Sequence, residues 1–130
     1  MDRQNISTGS IWEQRVGYSR VVRKGPFVFS AGTLAVSESG DVLHAHSAYL
    51  QTIAALEKIE RAMEKVGASR RDVVRTRMYI LHLRDQEEVG RGHHEFFGDI
   101  APAATMIEIK GLAAPNALVE VEVEAIVDAD

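Results

Sequence analysis

Near the end of this 130-residue chain Glu120, Glu122 and Glu124 alternate with Val119, Val121, Val123 and Ala125. A period of two places the carboxylates on one face of a strand and the small apolar residues on the other. Glu122 is the acid singled out. On a sheet face without helices it would lose water if another subunit closed over it, and desolvation raises a carboxyl toward the working range of a general acid or base. The plainer alternative is an ion pair with Arg75 or Arg77. Other chemistries find less in the residues. His44, His46, His93 and His94 offer imidazoles, but neighbours on a helix point roughly 100° apart and no carboxylate stands at a recognised ligand spacing, so no metal site is expected. Ser30, His93 and Asp99 compose a triad only on paper. Gly32 belongs to no phosphate-cradling loop, and no cofactor is expected. With no cysteine in the chain, disulfides, thiolate metal sites and thiol nucleophiles are excluded.

The elements that must position these groups follow from periodicity. Residues 19–22 and 27–34 read as a hairpin about Arg23-Lys24-Gly25-Pro26, with a second turn at 37–41. Over 45–66 the apolar residues Tyr49, Ile53, Leu56, Ile59, Met63 and Val66 recur at helical spacing, and Gly67 stands where a left-handed cap is needed. Residues 73–81 predict a strand, with Val74, Thr76, Met78 and Ile80 on its core face and Arg75, Arg77 and Tyr79 on the other. A shorter helix is expected over 85–98, carrying Val89, His93, Phe96 and Phe97 toward the core, followed by strands at 104–110 and 118–127. The first dozen residues, poor in apolar side chains, are expected to be loosely held.

This order predicts an α+β domain spanning 1–130: one mixed sheet with both helices on one face. The helix-free face is expected to show Arg75, Arg77, Tyr79, Met106, Glu108, Lys110 and the three glutamates. It is either a solvated surface or a contact between subunits. Hydrophobic residues make up 45% and charged residues 26% of the chain, an ordinary globular balance. A net charge of −4 disfavours a domain held on phosphates, so no nucleic-acid partner is expected. The polar N-terminus lacks a secretory layout and no run is long enough to span a membrane. A soluble cytoplasmic protein without a membrane partner is therefore expected.

Six blocks in order carry a resemblance: Gly17-Tyr18-Ser19-Arg20, Phe27 to Thr33, Asp72 to Thr76, His94-Glu95-Phe96-Phe97-Gly98, Pro102-Ala103-Ala104-Thr105, and Val121 to Ala125. Together they resemble the reactive-intermediate deaminase (Rid, or YjgF) family over nearly the whole chain. The resemblance implies a chorismate-mutase-like trimer, three sheets closing a central β-barrel with ligand clefts between neighbouring subunits. Members with known activity hydrolyse reactive enamines and imines, such as 2-aminoacrylate, to keto acids and ammonia.

The resemblance also places an arginine after Pro-Ala, where its guanidinium holds a substrate carboxylate in a bidentate pair. This chain has Ala104 there, which disfavours typical 2-aminoacrylate deamination. The other cleft positions persist: Tyr18, Ser30, Gly32 and Thr33, with Glu122 in the acid position. Thr105 and Met106 should border the cleft, and His93 falls at a position where the family often has an aromatic or polar residue. Arg20, Arg77 or Arg91 could supply the missing charge.

The implied function is binding, with hydrolysis, of a small imine- or enamine-type metabolite between subunits of a homotrimer. Glu122 and Tyr18 would be the catalytic pair. The alternative is a trimer that binds a small molecule or partner without turnover. Ribonuclease action, known in some relatives, fits poorly with the acidic charge.

Overall fold

In the computed structural model, which describes residues 1–128, the longest helix is α2, Ala48–Glu64. Ser47 caps it by accepting the Leu50 amide, and Gly67, at φ 81°, turns the chain out beyond its end. Its buried stripe is rotated from the expected one. Ala48, Thr52, Ala55, Ile59 and Ala62 form its centre, while Tyr49 and Ile53 sit at the margin. Small side chains there let the helix axis approach the sheet closely. Leu56 and Met63 fill the flanks, each worth about 1.5–3 kcal/mol when fully buried.

The sheet has six strands: β1 (Arg3–Ile6), β2 (Val21–Lys24), β3 (Phe27–Ser30), β4 (Val73–Ile80), β5 (Ala103–Glu108) and β6 (Val119–Ile126). Their spatial order is β1-β2-β3-β6-β4-β5, with β4 and β5 parallel and the other pairs antiparallel. The sheet is thus mixed, as expected. Gly25, at φ 60°, and Pro26 form the tight turn between β2 and β3. Helices α2 and α3 (Gln86–Phe97) cover one face. Val28, Thr76, Met78, Ile80, Val121 and Val123 are buried beneath them.

Three expectations need correction. Residues 3–16 are held, by β1 along β2 and by the helix α1 (Ile11–Val16). Few apolar residues were needed because backbone pairing and a cap at Ser10 do the ordering. In β4 the register slips between Val73 and Arg75, and this bulge turns Val74 out to 45% exposure and Val73 inward. In β5, Met106 pairs in register with Met78 and packs on the core, and Glu108 pairs with Ile80. Ala103, Thr105 and Ile107 therefore share the open face with Arg75, Arg77 and Tyr79, in place of Met106, Glu108 and Lys110.

Gln51, fully buried, was not anticipated. Its amide donates to the carbonyls of His44 and Asn116, residues of positive φ, and its oxygen accepts the Leu118 amide. Replacing it with Leu, close in volume, leaves three backbone groups without these partners. Urea unfolding of Gln51→Leu is expected to show a loss of about 1–3 kcal/mol. Among the described residues, no helix is long and apolar enough to cross a membrane.

Candidate functional site

Register fixes which side chains share the open face of the sheet. Thr105, Arg77 and Glu122 form one row across β5, β4 and β6, and Ile107, Tyr79 and Glu120 form the next. A third row runs Ala103, Arg75, Glu124 and Phe29. Glu124 takes the arginines, with Arg75 Nε and Arg77 Nη1 each 3.5 Å from its carboxylate. Such half-exposed pairs contribute under about 1 kcal/mol each. Glu122 instead accepts a hydrogen bond from Tyr79 Oη. That bond holds the tyrosine proton and is the main reason the Tyr79 phenol is raised above its ordinary pKa, ahead of burial and the Glu122 charge. The ion pair with Arg75 or Arg77 weighed for Glu122 thus falls to Glu124.

Glu120 occupies a different setting. Its carboxyl lies against Gly32, where an added Cβ would stand 2.9 Å from Glu120 Cδ. Burial, followed by the Glu122 charge, raises its pKa, and Arg20 partly opposes that rise.

Behind Gly32 lies a buried ion pair that joins α1 to β2. Glu13 and Arg20 are 3% and 5% exposed, with Arg20 Nη2 3.3 Å from Glu13 Oε2. Arg20 Nη1 also donates to the Gly32 carbonyl at 2.8 Å and to Thr33 Oγ1 at 3.1 Å. Its guanidinium lies 5.5 Å from the centre of the Tyr18 ring, and Tyr18 Oη accepts from Nη2 at 3.5 Å. A cavity of about 490 Å³ opens beside this cluster, lined in part by Glu13, Tyr18, Ser19, Phe29 and Ser30.

The expected site residues divide into two groups. Tyr18, Gly32 and Thr33 gather around Arg20, and Gly32 lies against Glu120. Within this group Thr33 is fully buried, and its hydroxyl donates to the Ala31 carbonyl. Ser30 Oγ accepts the Val123 amide and donates to the same carbonyl, so both hydroxyls serve the protomer's own backbone.

On the helix-covered side, at the β5 edge, Ala104 pairs in register with Thr76, whose Oγ1 is 2.8 Å from His93 Nε2. Burial, and then the neighbouring His94 charge, lower the His93 pKa. Met106 lies on the same side, whereas Thr105 faces the open side in the Glu122 row. One protomer therefore does not bring Ala104 and His93 together with Glu122 and Tyr18.

Of the arginines proposed to replace the missing one, Arg20 is committed to Glu13. Arg77 reaches Glu124, and Arg91 stacks 4.0 Å from the centre of the Tyr49 ring. Sequence reasoning had passed over Glu13, Tyr79 and Glu120 as site residues. The alternation along β6 already put Glu120 on the Glu122 face, and Glu13 leaves a local sign in the Ser10-x-x-Glu13 spacing of a helix start.

The profile of the endoribonuclease L-PSP family matches residues 10–127. An uncharacterised protein of Streptomyces coelicolor is 37% identical over 123 residues, covering 94% of this chain and 90% of its own. The 3-aminoacrylate deaminase RutC of Acinetobacter baylyi is 28% identical over 104 residues, 80% of this chain and 82% of that protein. Among solved structures, Rv2704 of Mycobacterium tuberculosis, a member of the YjgF/YER057c/UK114 family, shares 44% identity and superposes with a TM-score of 0.87 over 97% of this chain and all of its own.

Proposed function

Because the chain belongs to the endoribonuclease L-PSP family, which is the YjgF or Rid family, we propose that it is a cytoplasmic homotrimer that binds and hydrolyses a small enamine or imine in clefts between subunits. Glu122 acts as general acid/base in this reading, and Tyr18 orients the ligand. The observation that carries it is the division of the site into two halves on different faces of one protomer. A second copy placing its β5 edge beside the Glu122 face would complete the constellation. The open face suits such a contact, since Phe27, Phe29, Ile107 and Ile126 are each 43–47% exposed on the same side as the carboxylates.

Water attack on an iminium carbon needs a carboxylate near that carbon. Ala104 offers no bidentate hold on a substrate carboxylate. The favoured substrates are accordingly neutral or cationic at the distal end. The test is ammonia release from imines without a carboxylate, made in place by an amine oxidase, compared with the imino acids of an amino-acid oxidase and with 3-aminoacrylate, with sedimentation to establish the trimer. Binding without turnover across the panel would favour the non-catalytic alternative, and a monomer would remove the cleft.

Installing the charge is a separate prediction. Ala104 is exposed at the sheet edge, so an arginine fits there without disturbing the core. Ala104→Arg is expected to raise kcat/KM for 2-aminoacrylate by about 10-fold or more, the effect of a charge-assisted bidentate contact worth about 1.5–3 kcal/mol. Steady-state kinetics on both proteins check it.

A further inference from the structure

Glu120 is two residues from Glu122 on the same face of β6, so their backbones are roughly 7 Å apart along the strand. That spacing lets two carboxyl groups bracket a C=N unit, one addressing the carbon through a water and the other addressing the nitrogen. Their surroundings differ. Tyr79 Oη donates to Glu122, and Arg77 is its register partner, company that suits a carboxylate. Glu120 is half-buried against Gly32, and among the described residues neither a hydrogen bond nor an ion pair reaches its carboxyl. The charged and titratable groups facing it are Glu122 on its own strand, Tyr79 across on β4 with its hydroxyl turned to Glu122, and Arg20 just before β2. Arg20 is already bound to Glu13, Thr33 and the Gly32 carbonyl.

Resting on the reading that Glu122 is the base, we infer that Glu120 is a second catalytic residue, the carboxylic acid that protonates the departing nitrogen. Two carboxyl groups held in unlike environments divide acid and base work between them. Burial and the neighbouring Glu122 charge keep the Glu120 proton on at higher pH than an ordinary glutamate would. Phenols are weaker acids than carboxylic acids by roughly six pKa units, so a carboxyl is the better donor at neutral pH.

The steps balance. Water adds to the iminium carbon as Glu122 takes its proton, giving a neutral carbinolamine. Glu120 then protonates the amino nitrogen. The C–N bond breaks as the hydroxyl oxygen forms the carbonyl, and the hydroxyl proton returns to Glu120. Ammonia leaves with the proton held by Glu122, so iminium and water become carbonyl compound and ammonium. Both glutamates are restored.

The test joins carboxyl-carbon NMR titrations of the wild type and Glu122→Gln with pH profiles of ammonia release for wild type, Glu120→Gln and Glu122→Gln, using imines without a carboxylate made by an amine oxidase. Glu120 is expected to titrate above the usual glutamate range and to move down when Glu122 is replaced. Wild-type kcat should fall as pH rises through that Glu120 value. In Glu120→Gln this alkaline limb should vanish and kcat at pH 7 drop about 10²-fold, with KM little changed.

A Glu120 carboxyl that titrates normally, or a Glu120→Gln profile that overlays the wild type, overturns the assignment while leaving Glu122 as base. Turnover that survives in Glu122→Gln overturns the base reading itself. Absence of turnover in the wild type overturns both.

Discussion

Glu122→Gln is expected to reduce ammonia release by about 10²–10⁴-fold, the span general acid–base groups contribute. The substitution is nearly isosteric, and its amide oxygen still accepts the Tyr79 hydroxyl, so the local sheet should be retained. What it removes is the capacity to take a proton from water. The loss should therefore fall on kcat with little change in KM, the pattern of an interaction made only in the transition state. Tyr79→Phe provides the internal comparison. It deletes one hydrogen bond to the carboxylate and leaves the base, so its effect should be about 10-fold, the size of a single bond to a charged group. Steady-state kinetics at saturating imine, with circular dichroism to verify folding, decide the matter. Equal turnover in Glu122→Gln and wild type would remove Glu122 from the chemistry.

The β6 alternation made Glu120, Glu122 and Glu124 legible as one face, because a buried strand with one dry side tolerates few other patterns. The α2 boundaries were nearly as clear, since Ser47 and Gly67 mark its ends. Val74 was misread because a bulge adds a residue without changing composition, and the period of two then points to the wrong side. Met106 was misread for a related reason. On the edge strand β5 apolar residues occupy both faces, so only pairing with β4 fixes the phase. The division of carboxylates between Tyr79 and Arg75/Arg77 depends on register across strands distant in sequence, and that information is tertiary. The Gly32 contact with Glu120 is of the same kind.

Arg20→Met is expected to destabilise the protein by about 3–5 kcal/mol at pH 7, the cost of leaving one member of a buried ion pair behind. For a domain of this size that corresponds to a fall in Tm of roughly 10–20 °C. Glu13 would keep Ser7 Oγ, Thr8 Oγ1 and the Thr8 amide, at 2.7, 2.6 and 3.1 Å, but lose the guanidinium. The Gly32 carbonyl would lose its donor as well.

The sign of the pH dependence follows from Glu13. Burial alone would raise its pKa, but the Thr8 and Ser7 hydroxyls, the Thr8 amide and the Arg20 charge together bring it below the ordinary value of 4.5. A lowered folded value means stability that is present above pH 4.5 and is lost as pH falls through the folded pKa. Without Arg20 one lowering influence disappears, so the gap between variant and wild type should be widest at neutral pH and narrow on the acid side. Lys58 on α2 also faces this pair, and burial followed by the Arg20 charge depresses its pKa. Removing Arg20 should therefore bring Lys58 back toward its usual range.

Paired unfolding curves at pH 7 and pH 4, at one protein concentration, test the prediction. A difference below about 1 kcal/mol at pH 7 would reduce the pair to the worth of a surface contact. Arg20 grips Gly32 and Thr33 from the same guanidinium that meets Glu13. The variant should thus loosen the Gly32 segment that lies against Glu120, tying the stability of the N-terminal helix to the geometry of the carboxylates on β6.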